Sequence, residues 1–119
     1  MKYACLIYSD ENDATANPDP SSPEFAPIMA GYMAFGEEAG GAGVILAGEP
    51  LEATSSATSL QVRDGEVITT DGPFAETKEH LGGFYVLECE NLDDAMKWAA
   101  KIPHAATGTI EIRPVPVFG

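Results

Sequence analysis

The sequence predicts an α+β fold: an antiparallel sheet with two helices on one face and an added β-hairpin. Three observations predict it. Residues 2–8, 44–49, 82–89 and 109–115 are apolar runs of strand length. Residues 25–39 and 92–102 repeat apolar side chains every three or four positions, as amphipathic helices do. Between them, Asp64-Gly65 separates two alternating segments. Strand, helix, strand, hairpin, strand, helix, strand is a split βαβ pattern with a hairpin in its middle.

At 119 residues the chain has room for one domain with a two-layer core, and its 45% hydrophobic content argues against disorder. The first strand puts Tyr3, Cys5 and Ile7 on one face and Ala4, Leu6 and Tyr8 on the other, apolar on both sides. The polar loop from Ser9 ends at Ser22-Pro23, where Ser22 is placed to cap a helix and Pro23 to enter its first turn. Pro27 shifts the start of regular helix toward itself. Phe25, Ile28, Met29, Tyr32, Phe35 and Ala39 form the buried stripe, in a helix that Gly31, Gly36, Gly40 and Gly41 make dependent on packing.

Pro50 closes the second strand, and a polar connector leads into the hairpin. Asp-Gly suits a two-residue type I′ turn because both positions need positive φ, which sets Arg63 opposite Glu66. In the strand from Gly82 to Cys89, Phe84 and Val86 share one face and Tyr85 and Leu87 the other. Asn91 caps the second helix, whose Asp93, Asp94, Lys97 and Lys101 match the helix dipole; its stripe is Leu92, Ala95, Met96, Ala99 and Ile102, and Pro103 ends it. The last strand carries Ile110 and Ile112 on one face and Glu111, Arg113 and Val115 on the other. Two helices cover only one face of the sheet, so the apolar second face calls for a second copy of the chain, a homodimer with sheets packed together.

A net charge of −13, from 19 acidic and 6 basic residues, repels phosphate backbones and anionic lipid surfaces; nucleic acid and membrane partners are not expected. The N-terminal apolar run is too short for a signal peptide or a membrane span, which is the pattern of a cytoplasmic protein. Cys5 and Cys89 read as buried, reduced core residues. No metal spacing, phosphate loop or nucleotide fingerprint occurs, and no cofactor is expected. His104 reads as a solvent-exposed loop histidine.

The densest chemistry lies in Asp71-Gly72-Pro73-Phe74-Ala75-Glu76-Thr77-Lys78-Glu79-His80. Asp71 reads either as a turn former through an Asx hydrogen bond or as a proton carrier; Gly72, before proline, is pushed toward extended geometry, and Phe74 reads as the apolar anchor of the turn. Glu76, Lys78 and His80 alternate, so in an extended segment they share a face able to bind an anion or move a proton; a solvated, charged edge is the alternative. The catalytic candidates are Asp71 and His80. Substrate-binding candidates are Lys78, Glu76, Arg113 and Tyr85, with Arg113 either an anion clamp or one half of a salt bridge and Tyr85, like Tyr8, a source of a hydroxyl in the same region.

Lys2-Tyr3, the run from Asp71 to Glu79, Leu81-Gly82-Gly83-Phe84-Tyr85, Ala99-Ala100-Lys101-Ile102-Pro103 and Glu111-Ile112-Arg113-Pro114-Val115 resemble the YCII-related family, in its branch marked by Asp-Gly-Pro-Phe. The resemblance spans nearly the whole chain. It implies a ferredoxin-like domain of the dimeric α/β-barrel type, and relatives that act on small aromatic or chlorinated compounds or accompany extracytoplasmic-function sigma factors. The wider family's dyad, a histidine of the first helix with an aspartate, has no counterpart here, because no histidine occurs between Pro23 and Gly43. His80 stands where the branch usually has glutamine. Two functions follow as expectations. One is a cofactor-independent, enzyme-like binder doing proton-transfer chemistry on a small aromatic or carboxylated compound; the other is a non-catalytic regulator associated with a sigma factor.

Overall fold

The computed structural model describes residues 1–118, arranged as β1 (Lys2–Ser9), α1 (Phe25–Gly41), β2 (Ile45–Pro50), β3 (Thr58–Arg63), β4 (Glu66–Asp71), β5 (His80–Glu88), α2 (Leu92–Ala99) and β6 (Thr109–Pro114). The main sheet is antiparallel in the order β2-β5-β1-β6, and β3-β4 form a separate two-stranded sheet. Without the hairpin this is the ferredoxin-like arrangement: two split βαβ units whose inner strands lie side by side.

Both helices lie on the face that carries Tyr3, Cys5 and Ile7 of β1 and Leu87 of β5, and the core forms there with Phe35, Ala39, Ala95, Ala99 and Ile102. Cys5 and Cys89 are free thiols in this core; burial, with Cys89 alongside, pushes the Cys5 thiol up to about 11 and keeps it protonated at neutral pH. The opposite face presents Ala4, Leu6, Phe84 and Val86, which no helix covers.

Several boundaries differ from the sequence expectation for local reasons. Ser22 does not cap α1. Its side-chain oxygen is buried without a partner, while its carbonyl accepts the Phe25 N–H at 3.2 Å. The helix starts at Phe25, so Pro27 falls in the first turn, where backbone N–H groups lack intrahelical acceptors anyway. Asn91 does cap α2, accepting the Asp94 N–H at 2.9 Å, but the α-helix ends at Ala99 and Ile102 closes a tighter turn onto the Ala99 carbonyl. The small Ala95 and Ala99 take the sheet side, which rotates Leu92 and Met96 halfway into solvent.

The hairpin has its type I′ turn, with positive φ at both Asp64 and Gly65, and Arg63 pairs with Glu66. Its ladder is wholly internal. Leu60, Val62 and Val67 share one face and are more than half exposed. With the hairpin standing away from the body, the radius of gyration is 16.2 Å, against roughly 13–14 Å for a compact chain of this length.

One irregularity governs the site. Ile7 pairs with Gly83, but the next residue of β1, Tyr8, pairs with Leu81, so Gly82 is an extra residue bulged from β5. The bulge restores His80, opposite Ser9, to the helix-covered side of the sheet.

Candidate functional site

Between α1 and the end of the sheet lies a cavity of about 570 Å³, within the usual range for small-molecule sites. Ile7, Phe25, Ile28, Met29, Leu51 and Tyr85 supply apolar wall, and Glu11, His80, Tyr32 and His104 supply polar groups. The α1 stripe is therefore divided. Phe35 and Ala39 pack in the core, while Phe25, Ile28, Met29 and Tyr32, about one to three turns earlier, roof the cavity.

The polar loop after β1 closes one end. Glu11 stitches three segments together: its carboxylate accepts the Thr54 N–H at 2.7 Å and the Thr54 hydroxyl at 2.8 Å, and its own N–H donates to His80 Nδ1 at 3.3 Å. Because Nδ1 accepts, the neutral His80 ring carries its proton on Nε2, which makes no hydrogen bond among the described residues. The His80 side chain is 14% exposed and its Nδ1 lies 3.9 Å from the Glu11 carboxylate.

At another part of the wall, His104 is not the solvent-exposed loop residue that its sequence context suggests. Its Nε2 lies 2.9 Å from the Ala16 carbonyl and its Nδ1 2.5 Å from the Tyr32 hydroxyl. The carbonyl can only accept, so Nε2 holds the hydrogen of the neutral ring and Nδ1 accepts from Tyr32. Burial pushes the Tyr32 phenol up to about 12; nearby Tyr85 adds to the rise and the bond to His104 opposes it. Gly31 makes this contact reachable. A Cβ there would stand 2.9 Å from Pro103 Cγ, so its absence lets the 103–105 turn close against α1.

Tyr85 lines the cavity with its ring tilted against Phe35, the centroids 4.9 Å apart, and rests on Gly48, where a Cβ would meet the ring at 2.5 Å. The other sequence candidates lie elsewhere. Asp71 ends β4 at the surface, and the turn after it is held by the Gly72 N–H on the Ala57 carbonyl and the Ser59 hydroxyl on the Gly72 carbonyl, with no bond from the Asp71 carboxylate. Gly72 takes φ 98°, a left-handed conformation and not the extended one expected before proline. Phe74 is 83% exposed and anchors nothing within the chain. Glu76 and Lys78 are exposed residues of irregular backbone, where the Thr77 hydroxyl bonds to the Glu79 carbonyl, so they do not continue the face of His80.

Arg113 is on the uncovered face of the sheet, 4.0 Å from Glu111, whereas Tyr85 is on the covered face; Tyr8 also points to the uncovered side. None of the six lysines and arginines lines the cavity. Of the residues nominated from sequence, the cavity brings together His80 and Tyr85. Glu11, Tyr32 and His104 were not nominated, and no local pattern marks them: Tyr32 and His104 are 72 residues apart.

Fold and cavity together define an α+β protein of the ferredoxin-like class with histidine side chains set in a largely apolar pocket. The chain belongs to the family of the YCII-related domain, whose sequence profile matches residues 1–119. It is 38% identical over 120 residues to an uncharacterised protein of Rhizobium meliloti (strain 1021), across 99% of this chain and 94% of that protein.

Proposed function

We propose that the chain is an enzyme-like binder of a small, uncharged aromatic compound and exchanges a proton with it through His80. The observation that carries this reading is the 570 Å³ cavity with His80 on its wall. Apolar walls favour an aromatic body, and the lack of any lysine or arginine lining favours a neutral molecule over the carboxylated alternative. Neutral His80 offers an Nε2 donor to a carbonyl or hydroxyl oxygen. Asp71, Glu76, Lys78 and Arg113 have no part in this pocket.

A thermal-shift panel of neutral hydroxy- and carbonyl-substituted aromatics, run beside aromatic carboxylates, tests it. Neutral compounds should raise the melting temperature of the wild type. His80→Ala should weaken them on the order of tenfold, about 1.4 kcal/mol, while Asp71→Ala leaves the response unchanged. If no neutral compound stabilises the protein, the reading is wrong.

The Asp71-Gly72-Pro73-Phe74 run supports membership of the Asp-Gly-Pro-Phe branch, and the exposed Leu60, Val62, Val67 and Phe74 favour a protein partner in addition. A second copy packed on the uncovered sheet face is the partner that the apolar Leu6, Phe84 and Val86 suit best. Sedimentation velocity at micromolar concentration should give a dimer. A monomer that gains mass only when the neighbouring extracytoplasmic-function sigma factor is added would support the regulatory reading instead.

A further inference from the structure

We propose that Tyr32 and His104 form a proton relay on the cavity wall, which accepts a proton from a weakly acidic hydroxyl of the bound molecule, of the phenol or enol class. The inference rests on the cavity being a small-molecule site and assigns a role to two of its residues.

The geometry is a chain of three groups. Ala16 O accepts from His104 Nε2 at 2.9 Å, and His104 Nδ1 accepts from the Tyr32 hydroxyl at 2.5 Å. Ala16 is buried, so its carbonyl is a fixed acceptor screened from water. The Tyr32 hydroxyl gives its one hydrogen to Nδ1, which leaves its oxygen lone pairs free to accept from a ligand.

When a ligand hydroxyl donates to Tyr32 Oη, two protons can shift in step. The ligand O–H bond breaks as a new O–H bond forms on Tyr32, and the original Tyr32 proton passes to His104 Nδ1. The result is a ligand oxyanion, an intact tyrosine and an imidazolium; no electrons are exchanged and no co-reactant is needed. Both imidazolium donors are already matched, Nδ1–H to Tyr32 Oη and Nε2–H to the Ala16 carbonyl. Tyr32 never becomes a phenolate, which agrees with the burial that holds its phenol up to about 12. It ends by donating a hydrogen bond to the oxyanion, and His80 Nε2–H on the same cavity is a second donor.

The probe is para-nitrophenol, whose phenolate absorbs visibly, in buffer below its own pKa. Binding to the wild type, followed by calorimetry, should increase the phenolate band. Tyr32→Phe and His104→Gln, each checked by circular dichroism for a wild-type fold, should still bind the probe and lose that increase. If all three proteins bind and the band changes equally or not at all, the relay is wrong and the cavity reading stands. If folded variants lose binding altogether, the pair is a binding contact and the relay is wrong. If the wild type does not bind, the relay falls together with the cavity reading.

Discussion

Gly108→Ala should destabilise the protein by about 3 kcal/mol, the upper end of the usual cost of overpacking. The sign is the informative part. Gly108 is not among the glycines with positive φ, and at such a position alanine ordinarily stabilises by roughly 0.4–1 kcal/mol through the unfolded state. Here a Cβ would fall well inside van der Waals contact of the Tyr8 carbonyl oxygen and 3.1 Å from Ser9 Cα. Both neighbours are backbone, so relief requires the end of β1 to part from the turn that leads into β6.

That movement reaches the cavity from two sides. Ser9 pairs with His80, and the Gly108 N–H bonds to the His104 carbonyl at 2.7 Å. Urea unfolding measures the effect as a lower midpoint with an unchanged slope. An unchanged midpoint would mean that β1 and the 103–108 turn are not in backbone contact.

Leu87→Ala should cost about the same, roughly 3 kcal/mol and on the order of 10 °C in melting temperature. Leu87 is 0% exposed and sits in the sheet opposite Tyr3, beneath both helices. Its loss combines the transfer energy of the removed methyl groups with a void that flanking strands, fixed by their ladders, close poorly. The substitution is remote from the polar wall, so ligands that survive at low temperature should bind unaltered. A drop of less than 1 kcal/mol would show that the core relaxes around the void.

The element order, the hairpin turn and the Asn91 cap were legible because each rests on local chemistry: side-chain periodicity, a dipeptide that tolerates positive φ, and a side-chain oxygen three residues from the N–H it accepts. The site was legible only in part. Periodicity along α1 shows which side is apolar, but Phe25, Ile28 and Met29 meet a void and Phe35 a core, and the sequence does not distinguish these. His104 looks like a surface residue until Gly31 and Pro103 bring α1 against its turn. Glu76 and Lys78 attracted attention by alternating with His80, a relation that needs extended backbone; the positive φ of Gly72 and the Thr77–Glu79 bond give irregular chain instead. His80 was found for its chemistry, while what aims it is a pairing irregularity that no single residue announces.

That irregularity makes the site depend on strand pairing as well as on residue identities. Along β5, sides alternate, so whether Gly82 is bulged out of the ladder or taken into it decides whether His80 or Leu81 meets the cavity. Loss of Gly82 itself leaves Leu81 opposite Tyr8 and His80 opposite Ser9, so the imidazole keeps its side. A regular ladder running through Gly82 would exchange the two, putting leucine in the pocket and the imidazole on the uncovered face, with every amino acid of the site still present in the chain. In descent, this pocket is therefore more exposed to changes that straighten β5 than to loss of the bulged residue, and a relative that keeps both residues but pairs them in a regular ladder would have inherited the histidine without its function.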